Sequence, residues 1–427
     1  MMRRDFAFGR TGLQLELPEG FRYQVLEARS ARPLADPVRA IEESLDYLSL
    51  MARDKRSAAI SVCDITRPAP NRTTLPPILR RLAEAGIPKH AVTILIATGL
   101  HRGATAAEIR EIVGDEIAHS YRVENHNARE LGEHTCLGPT TSGTPLYVDS
   151  RFIAADLHLT LGFIEPHLML GYSGGRKLIA PGLAAQETIK VLHSPKFMRD
   201  ARACEGSIED NPLHRELLEI ARMARHDFLL DVALTRERRI AGVFAGRPEE
   251  AHARGVDFVS KVMLEQLDEP VDGVITTAAG YPLDLTYYQS IKGITAAAHI
   301  LKPGAPILLL AACEEGCGAP EFTRMVKDGP PAADYLAQLV DGRAVVVDQW
   351  QLEKLALVAR SHPILYYVPG LPAEYHERLW GRVFPNAPAA VAALAEKVEA
   401  GGRIALIPEG PYVLARAGGG AREPVPA

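Results

Sequence analysis

Short apolar segments rich in β-branched residues alternate with longer segments of helical periodicity along most of this 427-residue chain. The apolar segments are nearly continuous, which is typical of strands buried on both faces of a parallel sheet. Alternating strands and helices need crossover connections, so the sequence predicts an α/β fold with mostly parallel sheets. Strands are predicted at 58–64, 92–98, 156–164, 228–234, 273–278, 306–312, 344–349 and 363–368. Helices are predicted at 75–86, 104–114, 212–225, 285–301 and 387–400.

The chain is too long for one ordinary hydrophobic core, and two domains are expected. Residues 248–270 have the pattern of one long helix that ends at Glu269-Pro270, and a new alternation of strand and helix begins at Asp272. We therefore predict an N-terminal α/β domain over 1–268 and a C-terminal α/β domain over 269–427. The last segment of the second domain could return to pack on the first.

Charge and composition exclude several classes of protein. The net charge of −5 argues against a nucleic-acid footprint or a polybasic membrane anchor. No apolar run approaches the roughly 18 residues that span a bilayer, and no apolar stretch follows the first arginines as in a signal peptide. Five scattered cysteines favour a reducing compartment over a disulfide framework. The sequence predicts a cytoplasmic enzyme without nucleic-acid or membrane partners.

Polar residues follow two neighbouring strands of the predicted N-terminal sheet. Asp64 and Arg67 come directly after the strand at 58–64, and His101 follows the strand at 92–98. Ligands of α/β proteins bind beyond the carboxyl ends of strands, and arginine binds carboxylate or phosphate with two parallel hydrogen bonds. Asp64 could equally cap a turn, and a single histidine in a loop is usually a surface residue.

The densest cluster lies between residues 162 and 182, which contain five glycines. Ser173, Gly174 and Gly175 before Arg176 resemble a backbone nest for a phosphate, although Leu178 after Lys177 excludes a Walker A loop. Lys177 has a cationic neighbour in sequence, which favours the neutral, nucleophilic amine. The alternative is a turn with solvated basic residues.

Two further candidates follow along the chain. His193 stands in the run HSPK, where it could simply lie at a helix end. Tyr288, Gln289 and Lys292 share one face of a predicted helix and could hold a small anion, or could form a solvated face. Cys313 and Cys317 lack a second ligand pair nearby, which argues against a metal site there.

Together these segments resemble the nickel-pincer-nucleotide-dependent lactate racemases. The resemblance rests on DITRPAPN (64–71), TGLHR (98–102), EPHLMLGYSGGRKLIAPG (165–182), HSPK (193–196) and YYQSIKG (287–293), in the order found in the family. It implies an active-site cleft between two α/β domains. It also implies a pyridinium-3-thioamide-5-thiocarboxylate mononucleotide whose ring carbon and two sulfurs bind nickel, and cellular proteins that synthesise this cofactor.

The same resemblance assigns roles to single residues. Lys177 would be the covalent tether of the cofactor, and His193 would be the protein's nickel ligand. His101 and His167 match the two histidines that alternate as acid and base. Asp64 and the loop Ser173, Gly174, Gly175 and Arg176 match the cofactor-binding region. Residues of the substrate pocket would be Arg67, Tyr288, Gln289, Lys292 and Trp350.

These roles suit a racemase or epimerase that inverts C2 of a 2-hydroxy acid, such as lactate or a sugar acid. The C2–H bond is barely acidic, so hydride transfer through a 2-keto intermediate is easier than proton abstraction. Two enantiomers place the hydroxyl in two positions, which accounts for two histidines. The alternatives are a non-catalytic nucleotide- or carboxylate-binding protein on this scaffold and a pyridoxal-phosphate lysine enzyme.

Overall fold

The computed structural model describes residues 2–29, 31–339 and 345–418. Its contacts divide the chain into two compact units, each assembled from separate segments. The N-terminal unit consists of Ser30–Leu192 and Arg202–Val262, and the C-terminal unit consists of Met1–Arg29, His193–Ala201 and Met263–Ala427.

Strands and helices alternate along much of the described chain, as the sequence predicted, with several strand pairs directly connected. The strands are β1 (Met2–Phe6), β2 (Leu13–Leu17), β3 (Arg22–Val25), β4 (Ala58–Cys63), β5 (Val92–Ala97), β6 (Arg122–Asn125), β7 (His134–Pro139), β8 (Pro145–Asp149), β9 (Leu157–Phe163), β10 (Pro166–His167), β11 (Gly171–Tyr172), β12 (Phe228–Leu234), β13 (Ile240–Gly246), β14 (Leu264–Leu267), β15 (Gly273–Thr277), β16 (Ile307–Leu310), β17 (Ile364–Tyr367), β18 (Arg382–Val383), β19 (Arg403–Ile407) and β20 (Leu414–Ala417).

The helices are α1 (Pro37–Glu43), α2 (Asp46–Met51), α3 (Asn71–Glu84), α4 (Ala106–Val113), α5 (Asp115–Ser120), α6 (Ser150–Ile153), α7 (Gln186–Leu192), α8 (Pro195–Met198), α9 (Pro212–Met223), α10 (Pro248–Met263), α11 (Tyr287–Ala298), α12 (Pro320–Asp328), α13 (Ala332–Gln338), α14 (Gln349–Ala359) and α15 (Ala387–Ala395). Within the described residues, no helix is long and apolar enough to cross a membrane.

Each unit is built on one six-stranded sheet. The N-terminal sheet has the order β13-β12-β9-β4-β5-β6, and all of its pairings are parallel except β12 with β13. The C-terminal sheet has the order β18-β17-β16-β15-β19-β3 and is parallel throughout. Every residue of β4 and β9 is buried, as continuous apolar strands require. The α/β fold class is confirmed.

Two elements differ from the sequence prediction. Within 248–270, helix α10 ends at Met263, and Leu264–Leu267 forms a strand that pairs in parallel with β20. Pairing with a strand about 150 residues away overrides the local helical pattern. Within 344–349, residue 344 lies outside the described residues, 345–348 form a loop and turn, and Gln349 begins α14. Asp348 has a φ of 69°, which ends any extended run there.

The C-terminal unit also includes segments that precede the boundary predicted near residue 268. Met1–Arg29 joins this unit because β3 pairs in parallel with β19 and completes the edge of its sheet. The last described strand, β20, pairs with β14 inside the same unit. Such long-range pairings leave no local pattern in the sequence.

Candidate functional site

The candidate residues of the N-terminal unit follow three adjacent parallel strands. Asp64 comes directly after β4, the loop to His101 follows β5, and Glu165 to His167 follow β9. The carboxyl ends of adjacent parallel strands lie at one edge of a sheet, where α/β proteins bind their ligands. The sheet order therefore brings three of the predicted motifs to one edge.

Asp64 and His101 are in direct contact at this edge. Nδ1 of His101 lies 2.7 Å from Oδ2 of Asp64, and the hydroxyl of Thr66 donates to Oδ1 of the same carboxylate at 2.7 Å. Burial raises the pKa of Asp64, but the hydrogen bonds from His101 and Thr66 and the charges of His101 and Arg67 outweigh it, so its pKa lies below the usual 3.8. A carboxylate only accepts hydrogen bonds, so His101 carries a proton on Nδ1 and presents Nε2 outward.

The carboxylate of Asp64 makes its described contacts with neighbouring side chains of the protein. The sequence grouped Asp64 with the cofactor-binding residues, whereas both oxygens are engaged inside the protein. The side chain of Asp64 is 7% exposed and that of His101 is 52% exposed, so a buried carboxylate orients a half-exposed imidazole. Asp64 is thus a positioning residue for His101 in this structure.

The loop that carries His101 is fixed by three further hydrogen bonds. The amide of His101 donates to the carbonyl of Thr98, and the hydroxyl of Thr98 donates to the carbonyl of His126. The amide of Gly99 donates to the carbonyl of Gly182, at the end of the glycine-rich segment. Beside this loop, Arg67 is only partly buried and donates from Nη1 to Thr66 at 3.2 Å.

His167 lies on a short hairpin in which β10 pairs with β11. The amides of Met169 and Leu170 both lie 3.4 Å from Nδ1 of His167 and donate toward it. Bonds of this length are weak, so they orient the imidazole without fixing its tautomer. The hairpin itself is held from outside, because Nδ2 of Asn211 donates to the carbonyl of Met169 at 3.0 Å.

The glycine-rich loop before Lys177 is tied to the sheet by side chains predicted to face a cofactor. The hydroxyl of Ser173 donates to the carbonyl of Phe163 at 2.9 Å and accepts from the amide of Glu165. Arg176 is 3% exposed, and its guanidinium donates to the carbonyls of Leu170, Tyr172 and Gly174. Lys177, in contrast, is partly exposed.

The loop surrounds a carboxyl group that belongs to the protein. A Cβ on Gly174 would lie 2.3 Å from Oδ2 of Asp231, and Gly174 has a φ of 89°, so only glycine fits. Asp231 is fully buried in β12. Burial raises its pKa to about 7, against the lowering effects of the Gly175 amide, the Arg176 charge and the Gly162 amide. The predicted phosphate nest therefore has a carboxyl group of Asp231 on its inner side.

Buried histidines complete the surroundings of Arg176. Its Nη1 donates a hydrogen bond to Nε2 of His252 at 2.7 Å. Because this nitrogen accepts from Arg176, it cannot also donate to the carbonyl oxygen of Ser173, which lies 2.8 Å away. Burial and the charge of Arg176 hold the pKa of His252 far below 6.5 and lower the pKa of His214 to about 3. Arg176 thus stays charged among neutral imidazoles, even though burial lowers its pKa to about 10.

Asp231 gives a testable pH dependence of stability. Its carboxyl group keeps a proton up to about pH 7 in the folded protein and only to about pH 3.8 when unfolded. The stability that the folded protein gains by keeping this proton is fully present below pH 3.8 and is lost as the pH rises through 7. In the cofactor-free protein, Asp231→Asn should therefore lose stability relative to wild type on acidification from pH 7 to 4.5, by about 1.4 kcal/mol per pH unit. Urea unfolding at several pH values measures this.

The exposed Asp257 of the same unit, paired with Lys261, provides the matched control. Asp257→Asn should leave the difference from wild type nearly constant across this pH range. A constant difference for Asp231→Asn as well would show that Asp231 is ionised in the folded protein throughout.

In the C-terminal unit, His193 lies against Trp350. Their ring centroids are 4.5 Å apart with an interplanar angle of 48°, and Trp350 is 9% exposed at the start of α14. Two residues to which the family resemblance gives separate roles, one as a metal ligand and one in the substrate pocket, are thus neighbours. Lys177, the predicted tether, belongs to the N-terminal unit.

The start of α11 presents side chains rather than backbone amides. The amides of Tyr287 and Tyr288 donate to the carbonyls of Gly316 and Cys317, and the hydroxyl of Thr286 accepts from the amide of Gln289. The first amides of the helix are therefore already used, which excludes an anion site made of backbone N–H groups. A ligand at this end of the helix would meet side chains rather than free backbone amides.

Gln289 is the clearest sign of a ligand at α11. Its amide oxygen Oε1 is buried and has no hydrogen-bond partner within the described residues. A buried amide oxygen without a donor is costly, and a bound hydroxyl or amine would satisfy it. The ring of Tyr288 packs edge-on against Phe322 with the centroids 5.0 Å apart, which fixes its direction.

Some supporting residues were not found from the sequence. Asn211 caps α9 by accepting from two amides and also holds the His167 hairpin, and the Asn-Pro pair before a helical pattern was its signal. Asp231 stands inside the apolar run FLLDVAL, where a charged residue in a buried strand was the signal. His252 lies on α10 and had no distinguishing pattern.

The fold and these side chains define a two-unit α/β enzyme with a histidine–carboxylate pair and a partly exposed lysine at the end of a buried glycine loop. Residues 8–206 match the family model for the lactate racemase N-terminal domain, and residues 267–415 match the model for the lactate racemase C-terminal domain. The chain therefore belongs to the lactate racemase family, as the motifs predicted, and is an isomerase.

Individual relatives agree with this assignment. The chain is 31% identical over 426 residues to a lactate racemase of Thermoanaerobacterium thermosaccharolyticum, covering 97% of this chain and 100% of that protein. It is 33% identical over 335 residues to a lactate racemase of Lactiplantibacillus plantarum, covering 76% and 78%.

Solved structures agree with the fold. The lactate racemase apoprotein of Thermoanaerobacterium thermosaccharolyticum superposes with a TM-score of 0.90 at 31% identity, covering 97% of this chain and 100% of that one. A protein of Thermotoga maritima shares the fold with a TM-score of 0.66 at 17% identity, covering 91% and 99%.

Proposed function

We propose that this enzyme inverts C2 of lactate or a closely related 2-hydroxy acid, using a nickel-pincer nucleotide and a 2-keto intermediate. The observation that carries the proposal is the contact between His101 and the buried carboxylate of Asp64 at the ligand-binding edge of the sheet. A carboxylate behind an imidazole supports a positive charge on the ring, which is what a base acquires when it removes a hydroxyl proton.

The residues present fit such a cofactor. The described residues contain no group of three or more His, Cys, Asp or Glu side chains that could hold a metal ion. A nucleotide that brings its own donor atoms would need only one protein ligand for nickel, and the imidazole of His193 would be that ligand. The amine of Lys177 is partly exposed, as a covalent tether requires.

When bound, this cofactor would supply reversible hydride acceptance for the hydrogen at C2. The chain would hold it through Lys177 and His193. The backbone of Gly174 and Gly175 would form the outer boundary of the cofactor site. The side chains of Ser173 and Arg176 support that loop from beneath through the hydrogen bonds described above.

The remaining side chains would bind the substrate and move its hydroxyl proton. Arg67 is suited to the carboxylate of the substrate because its guanidinium binds two oxygens at once. His101 would exchange the hydroxyl proton at Nε2 in one enantiomer, and His167 would do so in the other. We propose Tyr288, Gln289, Lys292 and Trp350 as substrate-binding residues of the C-terminal unit, with the buried oxygen of Gln289 accepting a hydrogen bond from the substrate.

We propose further that the reaction takes place in the cytoplasm. The five cysteines are all free, which suits a reducing compartment. Other cellular proteins would synthesise the cofactor, and neither a nucleic acid nor a membrane would be a partner of this enzyme.

A panel of single enantiomers of lactate, malate, larger 2-hydroxy acids and sugar acids tests the function. Protein from cells that synthesise the cofactor should convert at least one of them into its C2 epimer. Intact mass shows whether the cofactor is attached, with Lys177→Ala as the matched reference that should carry no adduct. Loaded, nickel-containing protein that leaves every acid unchanged would contradict the proposal. An absorbance spectrum and metal analysis distinguish this cofactor from pyridoxal phosphate.

A further inference from the structure

The segment His193–Ala201 belongs to the C-terminal unit, although the chain on both sides of it belongs to the N-terminal unit. It contains His193 and the short helix α8. A segment this short has no core of its own, so its position depends on what it packs against. In the structure it packs against α14.

Three residues attach the segment to α14 and its neighbour α13. Nζ of Lys354 donates to the carbonyl of Met198 at 2.8 Å, and Nε of Arg199 lies 3.3 Å from Oε1 of Glu353. Nη2 of Arg199 also donates to the carbonyls of Leu336 and Leu339 at the end of α13. The segment is thus held at its C-terminal end by two charged side chains of α14.

The same face of α14 carries Trp350. Positions 350, 353 and 354 are separated by three and four residues, so their side chains lie on one side of the helix. Trp350 contacts the ring of His193, while Glu353 and Lys354 hold Arg199 and Met198. One helix face therefore contacts both ends of the segment.

The two charged side chains of α14 that hold the segment are buried. The side chain of Glu353 is fully buried, and Lys354 is 8% exposed. Removing one partner of a buried ion pair is strongly destabilising, so replacing Arg199 is expected to detach the segment from α14. The backbone carbonyl groups that accept from Arg199 and Lys354 would likewise lose a hydrogen bond to a charged donor.

We propose that Arg199, Glu353 and Lys354 are positioning residues that dock the segment His193–Ala201 on α14 and thereby keep His193 against Trp350. The inference deepens the proposed function, since it explains how the proposed nickel ligand is held. The docking itself exists without cofactor.

Tryptophan fluorescence of the cofactor-free protein tests the docking directly. The chain has two tryptophans, so a Trp380→Phe background reports on Trp350 alone. Contact with the imidazole of His193 quenches the indole, and His193→Ala should raise the emission. Lys354→Met and Arg199→Gln should give the same increase together with a red shift, because Trp350 becomes more exposed. Arg199→Lys keeps the positive charge, so its emission should lie between that of Arg199→Gln and that of the Trp380→Phe background.

The matched control is Asp272→Asn, which removes an ion pair with Lys302 elsewhere in the same unit. It should lower stability without changing Trp350 emission. If Lys354→Met and Arg199→Gln leave the emission of folded protein at the wild-type value, the docking proposal is wrong. If the control changes the emission as much as they do, the effect is general destabilisation and the proposal is also wrong.

A second readout concerns nickel. In protein from cells that synthesise the cofactor, the docking variants should keep the adduct on Lys177 and lose nickel more rapidly during dialysis against a chelator. Unchanged nickel loss would overturn the positioning role for His193. A wild-type protein that never binds nickel would instead contradict the proposed function, while the fluorescence result would still decide the docking.

Discussion

Replacing His101 with asparagine should lower the rate of substrate inversion in both directions by about 10²–10⁴-fold, since each direction needs one histidine as base and the other as acid. His167→Asn should have an effect of similar size. Chiral chromatography of the product, starting from each enantiomer in turn, measures both directions. The exposed His119 of the same unit provides the control, and His119→Asn should leave both rates unchanged.

Asp64→Asn separates positioning from chemistry at the same pair. The amide of asparagine can donate to Nδ1 of His101. The ring proton would then lie on Nε2, the atom that has to accept the hydroxyl proton of the substrate. We expect a loss of about 10²–10⁴-fold in kcat with little change in KM, since Asp64 itself does not bind the substrate. A large rise in KM with kcat unchanged would show that Asp64 binds the substrate instead of orienting His101.

The sheets were predictable because their strands are buried on both faces and therefore appear as continuous apolar runs. The strand predicted at 228–234 has the same bounds as β12, and the one at 58–64 differs from β4 by one residue. The edge of the sheet that carries Asp64 and His101 followed from this, because side chains at the carboxyl ends of adjacent parallel strands must lie at one edge.

Pairings between distant segments could not be predicted. Strand β3 completes the C-terminal sheet beside β19, and β14 forms because β20 lies next to it. A short strand of this kind has no periodicity that distinguishes it from the end of a helix, so Leu264–Leu267 was assigned to the helix before it.

The candidate site, like the fold, could be predicted from the sequence only in part. The end of a strand identified His101 and the glycine-rich segment identified Lys177, but the sequence did not show which neighbouring side chains are buried and which are exposed. Arg176 and Lys177 are adjacent in sequence, yet one is buried among carbonyls and the other is partly exposed. Gly174 was interpreted as part of a phosphate nest, and the reason it must be glycine is the carboxyl group of Asp231 beneath it.

The fate of the hydrogen at C2 tests the central claim most directly. Loaded enzyme is given one enantiomer of its hydroxy acid deuterated at C2, in ordinary water, and the product is analysed by mass spectrometry in the first turnovers. If the hydrogen leaves and returns as hydride within the site, it never exchanges with solvent, and the inverted product keeps its deuterium. If the two histidines remove and return it as a proton, exchange of the imidazole N–H replaces the label with hydrogen. Retention is the predicted result, and complete loss of deuterium from the inverted product would contradict the account.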